Sequence, residues 1–209
     1  MDVDGFETAI RTRMGLNAND PVFTDAVLLV LINAALQRVT SEEDWDWNEK
    51  SETIATAASD QDEAVAADYM RTLGLYEADG KPLERVDFDM IQNLTTAESA
   101  NVRYFCVSGT QIFLRPVPNG IFNLTHRYIA TEPALASGSD TPVIPTQYHD
   151  AVADYATYLA YKRVGNPNEA GVFLEEYARW IALMQRRGHR YADSRGGGVT
   201  VTQQAEVPA

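Results

Sequence analysis

Apolar side chains recur every three or four residues in four stretches of this chain and at alternate positions in several others, so helices and strands are both expected. The first helix is read over 4–14. Asp4 with Glu7 makes a capping-box pair, Phe6, Ile10 and Met14 share one stripe, and Gly15 supplies the stop. The second helix is read over 24–41. Val27, Leu28, Leu31 and Ala35 form one stripe and Leu29, Ile32 and Leu36 another, so this helix needs cover from more than one side. Asn33 and Gln37, four apart, make its polar strip. Two further helices, 146–164 and 167–187, are joined at Gly165. The second of them opens on Asn166-Pro167-Asn168-Glu169, a capping residue, a first-turn proline and a carboxylate. Ala170, Phe173, Leu174, Tyr177, Ile181 and Met184 give it one continuous stripe, which predicts an antiparallel helical hairpin.

The middle of the chain has the two-residue period of strands. Trp45 and Trp47 stand at strand spacing, 50–57 reads as an edge strand, and 58–68 as an exposed connection. Residues 69–88 read as two short strands around Asp79-Gly80, with Asp87 capping a short helix over 88–94. Val107, Ile112, Leu114, Leu124 and Tyr128, with turns at 108–110 and 119–120, predict a three-stranded antiparallel meander. Regularity is expected to stop after Gly188. The segment 189–209 then reads as an extended tail with a Gly196-Gly197-Gly198 hinge and a β-prone run holding Val199 and Val201.

Composition narrows the function classes. At 209 residues the chain is one domain with a tail, and 45 % apolar residues suffice for a packed core. Cys106 stands alone, so no intramolecular disulfide is possible, and synthesis in the cytosol is expected. The longest apolar run, 26–36, is too short to span a bilayer, so no membrane association is expected. The net charge of −13 is uneven: residues 1–102 carry 7 basic against 21 acidic side chains, residues 103–195 carry 10 against 8. A chain this acidic repels phosphate and is not expected to grip nucleic acid.

Catalytic patterns do not emerge. His126, His149 and His189 lack zinc-ligand spacing, there is no P-loop, and Ser108, between Val107 and Gly109, lacks the GxSxG pattern of a nucleophile elbow. His149, Asp150 and Asp154 read as a helix start whose acids suit the helix dipole, and Cys106 as a small core residue. Tyr148, Tyr155, Tyr158 and Tyr161 line either a ligand groove or a core and subunit contact. The expectation is a protein that is not an enzyme and takes no cofactor or metal.

The order of segments carries a resemblance. Thr24-Asp25 leads into Leu31-Ile32-Asn33-Ala34-Ala35, followed by Trp45 and Trp47, and then by a hairpin running from Tyr69 through Asp79-Gly80 to Val86. Phe113-Leu114 with Pro116 and Pro118 follows, then Tyr128 to Leu135, then Asp140, Pro142, Ile144, Pro145, Tyr148 and His149 entering the hairpin. Over roughly 5–187 this resembles the head-to-tail adaptor proteins of tailed bacteriophages, the connector component beneath the portal.

The resemblance implies an α+β fold: a helical bundle of N-terminal helices plus C-terminal hairpin, with a small antiparallel β region inserted over 45–130 in a core ending at 188. It implies a structural virion protein at the head-tail junction, made in the host cytoplasm. Copies would form a ring, typically a dodecamer, around a channel through which DNA passes without specific binding. The ring would carry the next connector or tail component. The C-terminal segment would dock on the portal, with Arg190, Tyr191 and Arg195 as anchors, Gly196–Gly198 as hinge, and Val199 and Val201 adding a strand to a partner edge. Leu29, Asn33, Gln37, Tyr158 and Tyr161 are the candidate subunit contacts. A head-closure or tail-completion protein, or a carbohydrate-binding module using the Tyr-rich helix with Trp45 and Trp47, stays open as an alternative.

Overall fold

The computed structural model describes residues 1–195, and of their side chains those of residues 1–187. Helix α1, Val3–Met14, is capped by Asp2, whose carboxylate accepts the Gly5 N–H at 2.9 Å. The cap thus lies two residues before the expected Asp4, which stands in the first turn, where a negative charge suits the helix dipole. Gly15, at φ 67°, ends the helix with its N–H on the Arg11 and Thr12 carbonyls. Helix α2, Asp25–Glu42, starts from Thr24 and buries Leu28, Ile32, Ala35, Leu36 and Val39. Helix α3, Phe88–Asn93, is a short piece inside the β region.

Helices α4, His149–Arg163, and α5, Pro167–Arg195, form the antiparallel hairpin, turning at Gly165 with φ 73°. Helix α4 is buried on several sides through Ala151, Val152, Ala153, Ala156 and Ala160, small side chains that admit α1, α2 and α5 at close range. Helix α5 does not stop near Arg187. The residues around Gly188 are good helix formers, and one glycine costs only about 1 kcal/mol in a helix this long. Arg190, Tyr191 and Arg195 therefore stand on a helix and not on an extended tail, while Gly196–Gly198, Val199 and Val201 lie outside the described residues.

In chain order the strands are β1 Glu49–Ala55, β2 Asp62–Ala64, β3 Tyr69–Glu77, β4 Glu84–Arg85, β5 Glu98–Ser99, β6 Tyr104–Ser108, β7 Gln111–Arg115, β8 Val117–Pro118 and β9 Asn123–Ala130. They make three sheets, ordered β1-β9-β3, β2-β7-β6-β4 and β5-β8. The β4–β6 and β5–β8 pairs are parallel. This overturns the expected fold class. With five α-helices and nine strands in three sheets among the described residues, the molecule is mixed and not a helical bundle carrying a small antiparallel insert. The reason is burial: Ile54, Leu75, Phe105, Ile112, Leu114 and Leu124 close a core of their own, and Val86, Ile91 and Cys106 a smaller one under α3.

The meander fails for a related reason. Strands β6 and β7 do form a hairpin, but β9 pairs with β1 and β3 instead of β7. Pro116 and Pro118 cannot donate to a ladder, so the chain leaves β7 and crosses to the other sheet. Residues 62–64 of the supposed loop add a strand to β7. The Asp79-Gly80 turn is present, with Glu77 N–H on the Lys81 carbonyl and Leu83 N–H on the Leu75 carbonyl, but its second arm soon departs to lie parallel to β6. Trp45 and Trp47 are not in a strand. Trp45 precedes a 3-10 turn, Asp46–Asn48, Trp47 is its middle residue, and the two rings stack face to face at 4.8 Å.

The sheet and the helices meet along 131–145. Buried His126 straps the three-stranded sheet together, one ring nitrogen 2.8 Å from Glu52 on β1 and the other 3.0 Å from Thr72 on β3. Beyond β9, the Gly138 carbonyl accepts from Asp4 N–H and the Asp140 carbonyl from Val3 N–H, pinning this segment to the start of α1. A side chain at Gly138 would run into the Asp4 carboxylate.

Candidate interaction surfaces

The residues nominated as subunit contacts fall on two helices. On α2, Leu29 is half-buried and Gln37 exposed. The Asn33 side chain turns inward: its amide donates to the Leu135 carbonyl at 2.9 Å and its carbonyl accepts the Leu135 N–H at 2.8 Å. Asn33 thus acts as a surrogate strand partner for the connecting segment. Replacing it with alanine leaves two backbone groups unpaired and is expected to cost about 2 kcal/mol in urea unfolding. On α4 the fold brings Tyr158 and Tyr161 to adjacent turns. Tyr158 lies 5.3 Å from Tyr155 and under Lys162, while Tyr161 stacks on Phe173 and donates to the Arg13 carbonyl at 3.2 Å.

The candidate chemistry is tied up in structure. His149 is buried and donates from Nε2 to the Ile144 carbonyl at 2.9 Å; burial pushes its pKa below the usual imidazole range. Arg13 bridges Asp150 at 2.9 Å and Asp154 at 3.4 Å, and Asp154 also accepts from Trp180 Nε1 at 3.0 Å. Burial raises the Asp154 pKa, and Arg13 works against that rise. Burial likewise lifts the Cys106 thiol, which makes it a poor nucleophile. Among the described residues, no group of three or more His, Cys, Asp or Glu side chains is placed to hold a metal ion. The aromatic platform needed for a sugar site is also spent, because Trp45 is buried against Trp47, whose other neighbour is Tyr148 at 5.7 Å.

One acidic group is held against its preference. Glu7, half-buried and facing Asp25 and Asp4, has a pKa raised to about 6 from 4.5, first by burial and then by Asp25, with Arg11 opposing. Between these two values the unfolded chain ionises and the folded one resists, so stability falls as pH rises through that window. The side chain is solvent-screened, which keeps the loss below about 1 kcal/mol. Glu7→Gln is therefore expected to stabilise the protein slightly at pH 7 and not at pH 4, read by paired urea titrations.

A cleft of 390 Å³ opens at the end of the three-stranded sheet between Glu77, Asp79, Val102, Ile121, Phe122 and Leu124. Its walls are apolar and its titratable groups are two carboxylates, so it offers no acid–base pair of opposed character. Ile121 beside it is 78 % exposed. Further apolar side chains stand in solvent in two groups. Phe88 and Met90, 42 % and 49 % exposed, lie on α3, and Val172 and Leu183 on the outer face of α5. Sequence reasoning missed the α3 group. Its signal was the run Asp87-Phe88-Asp89-Met90, where acids alternate with large apolar residues while Ile91 alone supplies the buried contact.

No helix among the described residues is long and apolar enough to cross a membrane. A family model described as SU10 adaptor protein matches residues 1–202. No curated protein matches the chain.

Proposed function

The chain belongs to the SU10 adaptor protein family, a family of structural phage proteins and not of enzymes, and from that membership we propose that it forms a ring beneath the portal at the head-tail junction. In this reading neighbouring copies close around the DNA channel, and the ring presents the attachment site for the next connector or tail component. The observation that carries it is the family match over nearly the whole chain, joined to exposed apolar groups on both the β region and the helical hairpin. Such groups favour burial against a partner.

The charge distribution supports the same reading. Acidic walls let DNA slide, whereas cations would hold its phosphates. The C-terminal end of α5, with Arg190, Tyr191 and Arg195, and the residues that follow it would dock on the portal. Modest affinity per copy becomes large avidity on a symmetric receptor. Deleting 196–209 is expected to abolish portal docking and leave the circular dichroism spectrum and unfolding midpoint unchanged. Truncated protein that still completes infectious particles would remove the tail from the docking role.

A further inference from the structure

The chain passes from the sheet to α4 through residues 131–145, and one buried carboxyl closes that passage into a loop. Glu132, just beyond β9, is 7 % exposed, and its Oε1 accepts the Val143 N–H at 2.6 Å across eleven positions. Its Oε2 is also shut away from solvent, yet it has no hydrogen-bond partner among the described residues. From β1 the charged group that faces it is Lys50, which is already paired with Asp68 at 2.6 Å. From α4 the nearest titratable group along the loop is His149, whose Nε2 donates to the carbonyl of Ile144, the residue after Val143. The rest of the passage is tied independently: Thr131 N–H to the Asp68 carbonyl, Leu135 to Asn33, and 138–140 to the start of α1. Val143 is 44 % exposed and follows Pro142, which has no N–H to give, so the Glu132 bond is what holds this end.

We propose that Glu132 is a proton-operated clasp on the joint between the β region and the helices. Protonated, it stays buried and holds 132 against 143; ionised, it turns toward water and lets the loop open locally. An ionised carboxylate in the closed position leaves one charged oxygen desolvated and unpaired, an unfavourable arrangement. The neutral carboxyl carries no such charge and still offers Oε1 to Val143. Burial accordingly lifts the Glu132 pKa above the ordinary 4.5, against the Val143 hydrogen bond and Lys50, which favour the charged form. The closed clasp therefore holds its proton more tightly than the open chain does. Its contribution is complete below the ordinary value and is lost as pH rises through the raised one.

The test is amide hydrogen exchange of the full chain between about pH 5 and about pH 8, with the intrinsic pH dependence of exchange divided out. In the unaltered chain the protection of the Val143 amide is expected to fall at least about threefold over that range, while the Leu135 amide, held by Asn33, keeps its protection. Glu132→Gln keeps an acceptor for Val143 without the charge, so its Val143 protection should stay level across the range. Glu132→Ala should lose that protection at both ends. A level profile in the unaltered chain overturns the clasp. So does a Glu132→Gln profile that falls as the unaltered one does, which would assign the change to His149 or another group. The carboxyl carbon resonance of carbon-13-labelled Glu132 follows the proton without any variant, and a midpoint at or below the ordinary 4.5 overturns the clasp as well. Circular dichroism across the same range keeps local opening apart from unfolding.

Discussion

Trp45→Ala is expected to cost about 4 kcal/mol, a large share of what a domain of this size has. Trp45 is 2 % exposed, stacks on Trp47 with ring planes 8° apart, and donates from Nε1 to the Val39 carbonyl at 2.7 Å. Its own carbonyl accepts from Asn48 N–H and so starts the 3-10 turn that feeds β1. One side chain therefore fills the core, satisfies a carbonyl in the last turn of α2 and sets the path from helix to sheet. Alanine removes all three and leaves Trp47 without its stacking partner. Trp45→Phe keeps most of the packing and loses the hydrogen bond, so about 1–2 kcal/mol is expected. Urea unfolding followed by far-ultraviolet circular dichroism measures both. A cost under about 1 kcal/mol for alanine would show that the joint is held elsewhere.

Leu114→Ala is expected to cost about 3 kcal/mol, in the middle of the range for a buried leucine. Leu114 is fully buried between Phe105, Ile112 and their neighbours in the core of the β region. The size of this loss tests whether that region is a packed body in its own right. A small insert laid over a helical bundle would expose such a side chain and lose less than about 1 kcal/mol. All three tryptophans lie with the helices, so their fluorescence reports that part, and far-ultraviolet circular dichroism reports both. Coincident midpoints from the two signals would show that the parts unfold together.

The helices were legible because their signals are local. Thr24, Gly15, Gly165 and the Asn166-Pro167 pair mark ends within a turn of where the chain obeys them, and the Phe6-Ile10 and Tyr177-Ile181-Met184 stripes name their own buried faces. The exceptions have the same origin. Asp4 with Glu7 reads as the cap, whereas the chain starts the helix from Asp2 and ties Val3 and Asp4 to 138–140.

The β region was read less well because strand pairing is not local. Residues 123–130 look like the third strand of a meander after 104–115, yet their partners are 49–55 and 69–77, up to about eighty positions away. Alternation of apolar residues says that a strand has a buried face and nothing about which neighbour supplies it. Pro116 and Pro118 were the available signal that the ladder could not continue. Trp45 and Trp47 show the same limit, since a two-residue interval fits a strand or the cap and middle of a short 3-10 turn equally well. At the surface, Asn33 was legible as a polar position on an apolar helix, but its partner Leu135, 102 positions away, was not.

The most direct measurement is electron microscopy of the full chain mixed with its cognate portal. The account predicts a closed ring of copies stacked coaxially under the portal with an open central channel, and density joining the C-terminal end of α5 to the portal. Portal particles left bare, or decorated by scattered single copies with no ring, would contradict it.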